Sequence, residues 1–299
     1  MVTKNQMEES GVSVVLGSYN RKHFLKMTIQ SLRRELSDVP FPYEIIVVDG
    51  GSSDGSLNWL IKQKDIITIT QHNHGVWNGE KIPRRSWGYF MNLGFKSAQG
   101  KYICMVSDDC LIVPDAIKNG YTLFEERLNA GDKVGAVAFY WRNWPEQKSY
   151  WVGHTLGGKL VVNHGLYLNS ALNEVEYIDE DNFHFYYADG DLCLKLWNNG
   201  YTVIESPNSF IEHYSHATLS TRKNNLEREK EDWSNYVSKW AGVFSDRMDE
   251  VTGGWINREY EDRSMTANAY SLYHQLHRIQ IIRQIPGYIM RKIRERTDT

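Results

Sequence analysis

Cysteine, proline and long apolar runs are scarce in this sequence, and each scarcity excludes something. Three cysteines occur in 299 residues, Cys104, Cys110 and Cys193. They lack metal-ligand spacing and do not form a disulfide framework, so free thiols in a reducing compartment are expected. No stretch approaches the roughly 20 apolar residues of a membrane span. Met1 to Ser10 is polar, with no apolar h-region, so no secretory signal is expected. These readings together point to the cytoplasm. A net charge of −3 excludes a general nucleic-acid binder. No nucleophile-elbow sequence occurs, which removes a serine hydrolase. Internal repeats and low-complexity tracts are absent as well.

What is present alternates. Val12 to Leu16 reads as a first strand, running through a turn at Gly17 to Asn20 into a helix over about 22–35. Tyr43 to Val48 is a second buried strand, ending in Asp49 and a Gly/Ser-rich loop that holds Asp54. A short helix and a strand over 66–70 follow. Residues 71–86 read as a loop rich in His, Asn and Arg. A helix over about 86–97 leads to the central strand. Strands alternating with helices through short Gly/Ser/Asp loops predict a mostly parallel sheet flanked by helices, an α/β fold. Residues 140–176 resist assignment, with Trp141, Trp144 and Trp151 among Gly, Asn and short β-like runs. A helix is expected over 192–198, and further strands over 201–204 and 210–213. From about residue 220 Glu, Lys, Arg and Trp dominate. That change predicts a domain over 1–219 and a helical C-terminal extension over 220–299.

The chain is organised around the stretch from Lys101 to Cys110, an apolar strand that discharges two adjacent carboxylates, Asp108 and Asp109. Open α/β sheets bind ligands at the C-terminal edges of their strands. Adjacent carboxylates repel unless a positive charge sits beside them, and a divalent cation carrying phosphate oxygens is one solution. The alternative is an Asp-rich turn after a core strand.

Four separate motifs, in order, resemble one family. Val14 to Asn20 resembles the opening strand and turn of the GT-A glycosyltransferases of family 2. Val47 to Gly55 resembles their second-strand nucleotide motif. Ser97 to Ile103, leading to Ser107, Asp108 and Asp109, resembles the approach to their metal motif. Asp179 and Glu180, Phe185 to Leu192, and Gly200 with Tyr201 resemble the acidic block that follows. The match covers roughly residues 11–216. Three positions depart from the pattern: Ser107 and Ala188 stand where acids are usual, and Gly50 replaces a second acid after Asp49.

The resemblance implies a GT-A, Rossmann-like fold and an inverting, metal-dependent sugar transfer from a nucleotide diphosphate donor, with UDP favoured. The acceptor would be a glycan or lipid-linked hydroxyl, in cell-surface polysaccharide or glycoconjugate synthesis. Asp109 would bind Mn2+ or Mg2+, with His213, or else His216, completing the site; Asp108 would face ribose or sugar. Asp49 would accept from the nucleotide base, with Ser18 and Asn20 bordering it, while Asp54 suits a helix cap. Arg84 and Arg85 are candidates to grip base or diphosphate. Asp189 would be the general base, with Asp191 as second candidate or as the cap of the following helix. Trp141, Trp144 and Trp151 would offer an acceptor platform or pack on the sheet. The segment from Leu276 to Thr299, with six basic and two acidic residues, would lie peripherally on the inner face of a membrane or pack on protein. Two competitors stay open. One is a non-catalytic nucleotide- or sugar-binding protein on this fold, kept alive by Ser107 and Ala188. The other is a nucleotidyltransferase, though Gly17 to Asn20 is not the basic, Gly-rich loop it would need.

Overall fold

The computed structural model describes residues 3–73, 75–82, 84–143, 147–214, 225–244 and 255–260. The chain divides into two compact units, Met1–Glu259 and Tyr260–Thr299, and every described element lies in the first. Trp144, His216 and the basic segment 276–299 fall outside the described residues.

A short helix α1 (Lys4–Ser10) precedes strand β1 (Val12–Ser18). Helix α2 (Lys22–Glu35) buries Phe24, Leu25, Thr28, Ile29 and Leu32, the stripe that helical spacing predicts. Strand β2 (Tyr43–Asp49), helix α3 (Ser56–Leu60) and strand β3 (Ile66–Thr70) follow. Asp54 caps both nearby helix starts: Oδ2 accepts from Lys22 N at 2.8 Å and Oδ1 from Ser56 N at 2.9 Å. The stretch 71–86 is not wholly loop. It folds a small hairpin, β4 (Val76–Trp77) and β5 (Glu80–Lys81), turned by Asn78 and Gly79 at positive φ.

Helix α4 (Trp87–Ser97) crosses the sheet so closely that a Cβ on Gly94 would meet Val15 Cγ1 at 2.4 Å. Then come β6 (Tyr102–Met105), β7 (Cys110–Ile112), α5 (Ala116–Asn129) and β8 (Val134–Asn143). The stretch that resisted assignment holds β9 (Tyr150–Gly153), β10 (Gly165–Leu168) and α6 (Asn169–Glu174). Helix α7 (Ala188–Asn198) leads to β11 (Thr202–His213), one strand where two short ones were expected. A register shift between Ser206 and Phe210 absorbs Pro207, which cannot donate to the ladder. Helix α8 (Glu229–Trp240) and strand β12 (Trp255–Arg258) complete the unit.

The main sheet is ordered β12-β9-β8-β10-β6-β1-β2-β3, with β11 pairing β8 and β7. Strands β6, β1, β2 and β3 run parallel, β11 runs parallel to β8, and β10 enters antiparallel between β6 and β8. The mixed α/β architecture, with helices on a largely parallel sheet, is the one expected. The composition change near residue 220 falls inside the first compact unit, because α8 packs on α7.

Candidate active site

The parallel strands align their C-terminal ends. Ser18 of β1 is in register with Asp49 of β2, and β6 feeds the loop carrying Asp108 and Asp109. Asp49 is fully buried. Its Oδ1 accepts from Gly51 N and Ser52 N at 2.9 and 2.8 Å, while Oδ2 has no hydrogen-bond partner among the described residues. One oxygen therefore shapes the turn and the other is held ready for a donor. Asn20 stitches the two loops, its N–H donating to Ser52 Oγ and its Oδ1 accepting from Ser53 N. Gly50 has a packing reason: a Cβ there would meet the Tyr19 ring at 3.2 Å.

Asp108 and Asp109 are each 3% exposed, and the positive charge between them is Arg21. Its Nη1 lies 2.9 Å from Asp108 Oδ1 and 2.9 Å from Asp109 Oδ2. Burial pushes Asp108 up to about 6, with Arg21 opposing and the charge of Asp109 adding to the rise. Burial also acts on Asp109, but Arg21 and His213 overcome it and hold that carboxyl down to about 2. Arg21 was missed by sequence reasoning. Its place directly after the first turn, at the mouth of the strands, was the available signal.

His213 ends β11. Its Nδ1 lies 3.0 Å from Asn143 Oδ1, an acceptor, so Nδ1 carries the proton. Nε2 then faces Asp109 Oδ1 at 3.4 Å. A lone pair facing a carboxylate is repulsive, and a cation between the two, or an imidazolium proton, reconciles them. Carboxylate oxygen and imidazole nitrogen are ligands for a divalent ion, so the residues fit the ion that the fold implies. His164, 3% exposed, stands beside this pair, its ring centroid 5.4 Å from that of His213. Burial pushes its imidazole down to about 3, with the charge of His213 adding. Cys110, whose spacing suggested no metal role, approaches His164 at 3.8 Å.

The expected helix over 192–198 begins four residues earlier, at Ala188. Asp189 and Asp191 therefore sit in its first turn, and Asp191 is not its cap. Tyr187 precedes it with φ of 62°, a strained backbone for an aromatic residue and one that sets the direction of Asp189. Asp189 Oδ2 accepts from Asn163 Nδ2 at 2.5 Å, and Asn163 Oδ1 accepts from Trp141 Nε1 at 3.1 Å. The Trp141 ring lies 5.4 Å from His213. A continuous chain of contacts thus joins Asp189 to the acidic cluster. Burial raises the Asp189 carboxyl above its ordinary value, against the bonds from Gly190 N and Asn163. Asp191 is fully buried elsewhere, on Trp240 Nε1 at 2.7 Å and Lys239 Nζ at 2.8 Å, where it ties α7 to α8.

Asp189 opens into a cavity of about 550 Å3 walled by Trp151, Tyr187, Trp233 and Tyr236. Trp141 and Trp151 pack with centroids 3.7 Å apart and their rings tilted by 49°; Trp151 lines the cavity and Trp141 backs it. Arg84 and Arg85 are not brought to the acidic pair. They are exposed; Arg84 donates to Asn225 at 3.0 Å and Arg85 lies over the Tyr89 ring.

Asp232 of α8 holds the approach to this wall. Fully buried, it accepts from the backbone N–H groups of His184, Phe185 and Tyr186 at 2.8 to 3.0 Å. Asp232→Ala strands three donors beside the site. Charged hydrogen bonds of this kind are worth about 1.5–3 kcal/mol each and are not additive. A loss of about 3–5 kcal/mol is expected, read in denaturant unfolding. A change under about 1 kcal/mol would remove this structural role.

The sequence model described as Glycosyl transferase family 2 matches residues 13–169, just over half of the chain. The chain belongs to glycosyl transferase family 2. Among curated relatives, the putative glycosyltransferase EpsH of Bacillus subtilis is 28% identical over 113 residues, 36% of this chain and 29% of that protein. Chondroitin synthase of Escherichia coli is 25% identical over 138 residues, 45% of this chain and 18% of the other. The match therefore spans under a third of each. Two solved structures share the GT-A fold with this family 2 chain. S. aureus TarS 1-349 in complex with UDP-GlcNAc aligns with a TM-score of 0.54 and 16% identity, over 76% of this chain and 66% of that one. The mannosyltransferase PcManGT from Pyrobaculum calidifontis, in complex with GDP-Man and Mn2+, aligns at 0.53 and 16%, over 76% and 64%. Among the described residues no helix is long and apolar enough to cross a membrane.

Proposed function

We propose that this glycosyltransferase is inverting and cation-dependent, and that it moves a hexosyl group from a nucleotide diphosphate, UDP favoured, to a hydroxyl of a glycan or lipid-linked acceptor. One observation carries the reading: Asp189 is linked through Asn163 and Trp141 to His213, which faces Asp109. Base and diphosphate site thus belong to one active site. Asp49, with its unpartnered oxygen, receives the nucleotide base, and Ser18 borders it. Asp109 and His213 hold Mn2+ or Mg2+, which neutralises the leaving diphosphate when bound. Asp189 takes the proton of the acceptor hydroxyl, and a single base opposite the leaving group gives inversion. Trp151, Tyr187, Trp233 and Tyr236 offer rings on which a sugar face stacks. The neighbours bound to UDP-GlcNAc and to GDP-Man with Mn2+ support a nucleotide-sugar donor. This chemistry fits polysaccharide or glycoconjugate synthesis.

The test is thermal melting with UDP, GDP, dTDP and CDP, each with and without Mn2+. A ligand at 100 times its Kd stabilises by about 2.7 kcal/mol. A rise with one nucleotide that disappears in Asp49→Ala is expected. No rise with any nucleotide at millimolar concentration would sink the reading.

A further inference from the structure

Asp189 is held from two sides, and one of its holders is itself held. Its Oδ1 accepts from Gly190 N at 2.9 Å and its Oδ2 from Asn163 Nδ2 at 2.5 Å. An asparagine amide presents a donor at one end and an acceptor at the other, and the indole of Trp141 decides which end faces which way. Trp141 Nε1 donates only. It lies 3.1 Å from Asn163 Oδ1, so it takes the oxygen and leaves the NH2 group for Asp189. The backbone on either side of Asn163 is pinned to the two elements concerned. Val162 N donates at 3.3 Å to Cys193 Sγ, on α7 with Asp189. The His164 carbonyl accepts at 2.9 Å from Phe139 N, on β8 with Trp141. Asn163 thus spans the base and the sheet with its polarity fixed.

A donor of fixed polarity favours the ionised carboxylate, which only accepts, over the neutral acid. No cation shares that task, since among the described residues no ion pair reaches Asp189. Cys193 of α7, Tyr167 of β10, Tyr236 of α8 and Tyr187 face it, and burial pushes each of them up, so they are uncharged at neutral pH. His154, Glu229 and Lys230 line the same cavity. We propose that Asn163 is the positioning residue of the base: its amide, oriented by Trp141, fixes the Asp189 carboxylate at the cavity wall and keeps it ionised. This rests on the reading that Asp189 takes the acceptor proton. Each Asp189 oxygen keeps a further lone pair for that proton. Trp141 then serves through its N–H, from behind the wall, while Trp151 supplies the ring that lines it.

The experiment titrates the Asp189 carboxyl directly, by carbon-13 NMR of the full chain labelled at its aspartate carboxyls. The Asp189 signal is the one lost in Asp189→Asn. In Asn163→Ala the midpoint should rise by about one pH unit, a roughly tenfold change in the ionisation constant, as one lost hydrogen bond to a carboxylate implies. Trp141→Phe keeps an aromatic ring, removes the indole N–H and frees the amide to turn, so its midpoint should rise by less. Circular dichroism melts establish that the variants fold. Should Asn163→Ala not fold, Trp141→Phe is read alone, and a rise is still required. An unmoved midpoint in either folded variant overturns the proposal. The rate profile is then taken with a sugar diphosphate of whichever nucleotide raises the melting point. Its acidic limb should move with the midpoint. A midpoint that moves while the limb stays overturns the assignment of Asp189 as base, and this proposal with it. A midpoint that stays, while Asp189→Asn abolishes turnover, overturns this proposal alone.

Discussion

Asp189→Asn is expected to lower turnover by about 10²–10⁴-fold, the range that one positioned general base contributes, with donor affinity unchanged. Asparagine keeps the shape and can still accept from Asn163, so the wall around Tyr187 should hold its form. What goes is the capacity to take a proton. The raised carboxyl of Asp189 fixes the pH behaviour. Only the ionised form is a base, so the acidic limb of the wild-type rate profile should lie above the ordinary aspartate value of about 3.9. Stability should move the other way. A folded-state value raised by burial means that ionisation opposes folding. The penalty is absent below the unfolded value and complete above the folded one. At neutral pH Asp189→Asn should therefore melt above wild type. Steady-state kinetics, a rate profile and a melting curve check the three parts. A variant that loses only donor affinity at full turnover would transfer the role of base elsewhere.

The parts of the fold that were legible in the sequence are those governed by local period and by turn chemistry. The stripe of α2, the apolar run of β2 and the cap made by Asp54 follow from spacing a few residues long. So do Asp49, Asp108 and Asp109, because strand ends in a parallel sheet converge. The stretch 140–176 was opaque for the opposite reason. Of its strands, β9 is four residues long and β10 pairs over long sequence distances with β6 and β8, and Gly and Asn within the stretch carry no period. Asn163, on Asp189, and His164, beside His213, were hidden with it. Asp191 illustrates a further limit. Its position invites a cap, but its partners Lys239 and Trp240 arrive from a helix almost 50 residues away. Arg84 and Arg85 show that charge in a loop says little about where the loop lies.

Arg21→Ala should be the most destabilising single change at the mouth of the sheet, costing about 3–5 kcal/mol, the usual consequence of removing one member of a buried ionic group. The two carboxylates are 3% exposed and share one guanidinium nitrogen. Without it the two carboxylates lose the cation they share, and Asp108, already raised by burial, should rise further. Because the same nitrogen makes both contacts, a fork is not essential, and Arg21→Lys should recover part of the loss where Arg21→Met should not. Divalent ions sharpen the prediction. Arg21 and an ion at Asp109 compete for one pair of carboxylates, so losing Arg21 should tighten Mn2+ binding even as it weakens the fold. Mn2+ added to Arg21→Ala should raise its melting point more than it raises that of wild type, by mass action on the native state. Equal shifts in the two proteins would mean that ion and guanidinium occupy separate places.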